Sequence, residues 1–132
     1  MMIQFRAIGI ALALSIIAAT PAWSVGLAEK AAMQAAMQRH VDELTVGGGY
    51  LHLDSKTGDV VKLYPVTAHP TIMQMGENYV LCFDFKDSAG KDVAVDFYMA
   101  PKDRGYVVFH AAISNRHILQ DLMKAGKVTR AD

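Results

Sequence analysis

The spacing of apolar side chains changes character along the chain, and each change marks a different kind of element. Residues 7–19 are apolar almost without interruption. From residue 27 to residue 45 the period is helical: Met33, Met37, Val41 and Leu44 recur every three or four positions among Ala, Gln and Glu, with no Gly or Pro. Good helix formers at that spacing predict an amphipathic helix, stopped by Gly47-Gly48-Gly49. From Tyr50 onward the period falls to two, the mark of half-buried strands.

Matching apolar faces then sets a register. Leu53 placed opposite Val61, and Leu51 opposite Leu63, leave Lys56-Thr57-Gly58 as a three-residue loop with Gly last, where a left-handed residue is wanted. Ala68-His69-Pro70 reads as a bend, since Pro restricts its neighbour, with a short strand over Thr71 to Met75. Residues 79–113 carry the clearest alternation: Tyr79, Leu81, Phe83 and Phe85; then Val93, Val95, Phe97 and Met99; then Val107, Phe109, Ala111 and Ile113. Phe83 opposite Val95 leaves Ser88-Ala89-Gly90 as a loop, and Phe97 opposite Phe109 puts Lys102-Asp103-Arg104 at the next turn. Ser114 or Asn115 caps a last helix carrying Ile118, Leu119, Leu122 and Met123, ended by Gly126. The expected fold class is α+β: an N-terminal helix, a four- to five-stranded antiparallel meander and a short C-terminal helix, with a helix packed on one sheet face.

Composition changes this picture in two places. First, Arg6 precedes the apolar run, Thr20-Pro21 breaks it, and Ala22-Trp23-Ser24 offers small residues at alternate positions. That is the plan of a signal peptide, and the run is shorter than the roughly 20 residues a spanning helix needs. The expected division is 1–24 signal peptide and 25–132 a single α+β domain, periplasmic or secreted, with no membrane anchor after cleavage. Second, 13 Lys+Arg balance 13 Asp+Glu in 132 residues. A chain without excess positive charge does not fit a nucleic-acid binder. The single Cys82 forms no intrachain disulfide.

The same register collects polar residues on the reverse of the sheet. Cys82 is expected opposite Asp96, Asp96 opposite His110 and Asp84 diagonal to Asp96, with Tyr98, Tyr106 and Val108 around the row. Strand spacing then separates Cys82 from His110 by roughly 10 Å. Three readings stand: a hydrogen-bonded Asp96–His110 pair beside a filler Cys82; a zinc or copper site on Cys82, Asp96 and His110; or a nucleophilic Cys82, for which the carboxylate sits in the wrong place, between thiol and imidazole. Met33, Met37 and His40, with His69, Met73 and Met75, are soft ligands suited to Cu(I), yet Met33 and Met37 share the stripe of Val41 and Leu44 as core residues do. His69 lies outside that pattern, on the bend; His52 and His117 are expected in solvent. Asp84 and Asp96 are also spaced like the carboxylate pair of a retaining glycosidase. No nucleophile elbow, HExxH, CxxC or phosphate-binding loop occurs in the chain.

The run Tyr79-Val80-Leu81-Cys82-Phe83-Asp84-Phe85, followed by Val95-Asp96-Phe97-Tyr98, resembles small uncharacterised exported bacterial α+β proteins with Cys-x-Asp-Phe and Asp-Phe-Tyr patterns. In outline, a helix before an antiparallel meander is similar to cystatin-like and PepSY-like modules, which implies an inhibitor or ligand binder by fold analogy. The expected function is a small exported, non-enzymatic binding or accessory module without a cofactor. The alternative is a periplasmic protein handling copper or zinc. The expected partner is a protein or small ligand, with a homodimer through the polar sheet face as a further possibility.

Overall fold

The computed structural model describes residues 25–131, so the expected signal peptide lies outside the described residues. The elements run α1 (Leu27–Glu43), β1 (Thr45–Val46), β2 (Gly49–Leu53), β3 (Val60–Met75), β4 (Asn78–Lys86), β5 (Asp92–Lys102), β6 (Gly105–Ile113), α2 (Arg116–Lys124) and β7 (Thr129–Arg130). The strands form one seven-stranded antiparallel sheet in the order β1-β2-β3-β4-β5-β6, with β7 added to the far end of β3. The fold is therefore α+β, with more strands than the four or five expected. β1 and β7 have two residues each, too few to show an alternation.

The three glycines after α1 do more than stop a helix. Gly47 and Gly48 adopt φ of 59° and 81°, the two positive values that a tight two-residue hairpin turn requires. Gly49 follows because a Cβ there would come within 2.8 Å of the Lys62 Cβ.

The β4–β5 register matches the expectation, with Phe83 opposite Val95 and Cys82 opposite Asp96. Two other registers differ. In β2–β3, Leu53 faces Val60 and Tyr50 faces Leu63, one residue from the expected pairing. Tyr50 and Leu63 thus point inward, while Leu53 is exposed. The alternation of Leu51 and Leu53 misled because Tyr50, with its larger apolar body, takes the core side. β6 pairs Phe97 with Ala111 and Tyr98 with His110, and a bulge then sets Met99 opposite Val108. The extra residue at Phe109 reverses side-chain parity, so Val108 and Tyr106 pack inward and Phe109 is left exposed.

β3 runs through the expected bend at His69-Pro70 as one long strand. It accommodates Pro65 and Pro70 by register shifts between Pro65 and Thr67 and between Ala68 and Ile72. On its other side β2 pairs residues 60–63 and β7 residues 73–74. Both prolines, which lack a donor, therefore lie where that side has no strand partner. The three extra residues also flip parity along β3: Leu63 and Ile72 face one side, Met73 the other.

Each sheet face carries its own helix, where one covered face was expected. α1 buries Met33, Ala36, Met37 and Val41 on the inner face, over Phe85, Val95, Phe97 and Met99. Phe83 and Phe85 lie 4.7 Å apart, ring to ring, and His40 meets Phe97 at 5.4 Å. Each such large side chain contributes about 1.5–3 kcal/mol on burial. α2 lays Leu119 and Leu122 on the outer face, against Met73, Val80, Tyr98 and Ala112. Among the described residues no helix is long and apolar enough to cross a membrane.

Candidate functional site

On the outer face, alternation along β4 and β5 sends Cys82, Asp84, Asp96 and Tyr98 to the side of α2. Asp96 is 1% exposed, a carboxylate that burial alone would destabilise. Its partner is Arg116, in the first turn of α2. Arg116 Nη2 donates to Asp96 Oδ1 at 2.8 Å, and Nε lies 3.3 Å from Oδ1 and 3.5 Å from Oδ2. This bond to Asp96 raises the Arg116 pKa still further. Burial first, then interaction with the same carboxylate, pushes the Cys82 thiol up to about 12. A thiol held protonated at neutral pH is a poor nucleophile and a poor metal ligand.

The remaining members of the expected row disperse. His110 lies opposite Tyr98, with ring centroids 5.6 Å apart, and is exposed rather than paired with Asp96. Tyr106 is on the inner face, 5.8 Å from Tyr79. His69 Nε2 sits 2.7 Å from Asp84 Oδ2, with both side chains about two-fifths exposed at 40% and 41%. Tyr98 is buried beneath α2, and burial, then the charge of Asp96, raises its pKa. Met33 and Met37 are core. Among the described residues no group of three or more His, Cys, Asp or Glu side chains is placed to hold a metal ion. What remains of the row, Asp96 bonded to Arg116, is a clasp that fixes α2 to the sheet. An arginine outside the strand pattern supplies its cation, which is why strand parity alone did not find the pair.

The inner face holds a different arrangement. Beyond the reach of α1, a groove of about 830 Å³ opens between the β2–β3 hairpin, the β4–β5 hairpin and the β6–α2 junction. Its floor is Val61, Leu63, Val93 and Ile113. Its rim is His52, Asp54, Ser55, Lys56, Asp87, Ser114, Asn115 and His117. Both carboxylates are partly engaged by their own turns. Asp54 Oδ1 accepts from the Lys56 amide at 2.9 Å, and Asp87 Oδ1 accepts from the amides of Ala89 and Lys91, each at 2.9 Å. The side chains of His52, Lys56 and His117 bond to no other described residue. Polar groups left uncommitted over an apolar floor are what a small-molecule site requires.

The sequence pattern puts His52 and His117 in solvent and gives Lys56 and Asp87 no role beyond their loops. The groove depends on strands far apart in the chain, and its one local signal was the run of polar residues at each turn. No family model, curated protein or solved structure matches this chain, so the site's role rests on its geometry.

Proposed function

We propose that this protein is a small non-enzymatic binding module that holds an amphipathic small molecule in the inner-face groove and works outside the cytoplasm. The observation that carries the reading is the pairing of an apolar floor with an uncommitted polar rim. At about 830 Å³ the groove falls in the size range of ligand sites. The ligand's apolar body lies on Val61, Val93 and Ile113, and its polar atoms meet the hydroxyls, imidazoles and ammonium group of the rim. A binding rather than catalytic role agrees with the fate of Cys82 and Asp96, which hold α2. The export part of the reading rests on the charge, apolar core and small-residue order of residues 6–24.

Nile red, a neutral apolar dye, tests the groove. Its emission shifts to the blue on binding the protein, and Ile113→Phe, which fills the floor, weakens binding by about tenfold without lowering the urea midpoint by more than a little. Dye binding indifferent to Ile113→Phe, or no binding at all, rejects the reading. Export has its own readout. The only Trp is Trp23, so protein cut after Ser24 emits as tyrosine alone.

A further inference from the structure

The sheet ends on one side at β6, whose only strand neighbour among the described residues is β5. Along these nine residues, alternate backbone N–H and C=O groups therefore point outward with no strand to pair with. Proteins blunt such edges with charges, prolines, bulges or covering elements. Gly105–Ile113 contains no Asp, Glu, Lys, Arg or Pro, and its single irregularity, at Phe109, interrupts the ladder once. Val107 and Phe109 are 39% and 55% exposed along it.

Beside the start of this edge, α1 and the β5–β6 turn enclose a second groove of about 520 Å³. Ala32 and Ala35 leave the helix side of it low. Arg39, Lys102 and Arg104 line it, against a single lining carboxylate, Asp103. None of those three cations is bonded to another described residue. An unblunted edge and an excess of uncommitted positive charge meet at one place.

We infer that the open edge of β6 and this cationic groove receive an extended acidic peptide, which pairs with β6 as an added strand. Main-chain hydrogen bonds along the edge supply affinity independent of sequence, and alternate side chains of the peptide set specificity. Carboxylates at those alternate positions meet Arg39, Lys102 and Arg104, and intervening apolar side chains lie on Val107 and Phe109. The surface is separate from the inner-face groove and does not depend on it.

The test uses fluorescein-labelled hexapeptides read by anisotropy and by amide shifts of ¹⁵N-labelled protein. A peptide alternating Val and Glu binds at least about tenfold more tightly than its Val-Lys counterpart, and the shifts centre on residues 105–113. The exposed triple variant Arg39→Glu, Lys102→Glu, Arg104→Glu inverts the preference. Methylation of every peptide nitrogen removes the backbone donors while keeping the charges, and abolishes binding. Equal binding of both peptides, undiminished binding of the methylated one, or shifts confined elsewhere each overturn the inference. So does sedimentation showing the edge already paired with a second copy.

Discussion

The outer clasp and the inner groove use the same kinds of residue to opposite ends. In the clasp, Asp96 and Arg116 are spent on one another, with the Cys82 thiol held protonated near the carboxylate: Asp96 accepts from the guanidinium and is shut beneath α2. In the groove, His52, Lys56 and His117 face open space above Val61, Val93 and Ile113. Residue type is shared by the two regions, and commitment separates them. A polar group consumed internally serves stability, and one left over can serve a ligand.

The sharpest break of this comparison is Arg116→Ala. It leaves the Asp96 carboxylate buried and unpaired, the case that costs most in a buried ion pair. Water reaches the arginine, whose side chain is 36% exposed, so the expected loss is about 2–3 kcal/mol rather than the full range for enclosed pairs. Urea unfolding measures it. The double variant Asp96→Leu, Arg116→Met restores most of the loss, because two apolar groups replace the pair without stranding a charge. A loss for Arg116→Ala within measurement error would return the outer row to the list of open sites.

Thiol reactivity gives the next effect. A pKa of about 12 against an ordinary 9.0 cuts the thiolate fraction at neutral pH about a thousandfold. The higher intrinsic nucleophilicity of a more basic thiolate recovers part of that, leaving alkylation slower by roughly 30-fold before any steric hindrance. Because the folded pKa is raised, the thiol form favours the fold fully below pH 9.0, and that contribution is lost as the pH climbs toward 12. Iodoacetamide kinetics on the native and urea-unfolded protein measure the ratio. Equal rates would mean that Asp96 does not hold the thiol.

What could be read in advance follows from the range of each signal. The β4–β5 hairpin was legible because its register needs only alternation and one Gly-terminated loop, and Cys82 beside Asp96 came with it. The β6 register was not. Its parity is reversed by a bulge at Phe109, and a bulge leaves no mark in a run as uniformly apolar as Val107-Val108-Phe109. Arg116 was invisible as a partner because it lies on a helix that the pattern left without a place on the sheet. The groove joins turns from three parts of the chain, so its geometry exists only after folding, although the polar residues at those turns were in view.

Histidines extend the comparison with a smaller effect. His40 Nε2 lies 3.1 Å from the Tyr50 hydroxyl, and burial lowers its pKa below 6.5, with Glu43 opposing more weakly. The folded state therefore prefers the neutral ring. Stability is complete above pH 6.5, begins to fall as the pH drops through that value, and levels off below the lowered folded pKa. Urea midpoints across this range should show the slope, and His40→Gln should flatten it. A slope that survives His40→Gln but vanishes with His52→Gln or His117→Gln would place the committed imidazole in the groove instead.

The smallest expected effect is the one that tests the groove most directly. Lys56→Ala, His52→Gln and His117→Gln remove side chains that bond to no other described residue, so each should change stability by no more than about 0.5 kcal/mol. His52 and Lys56 belong to the β2–β3 hairpin and His117 to α2, and the three share no bonding partner, so together they should sum to little more than their parts. Ligand affinity should respond instead, since a rim group that meets a ligand loses that bond whether or not the fold needs it. Loss of Nile red affinity is not required, because that dye reports the floor; a polar ligand found by screening should weaken while the dye does not. If instead any of these substitutions lowers the unfolding midpoint as much as Arg116→Ala does, that residue is consumed internally, and the distinction between clasp and groove fails at that position.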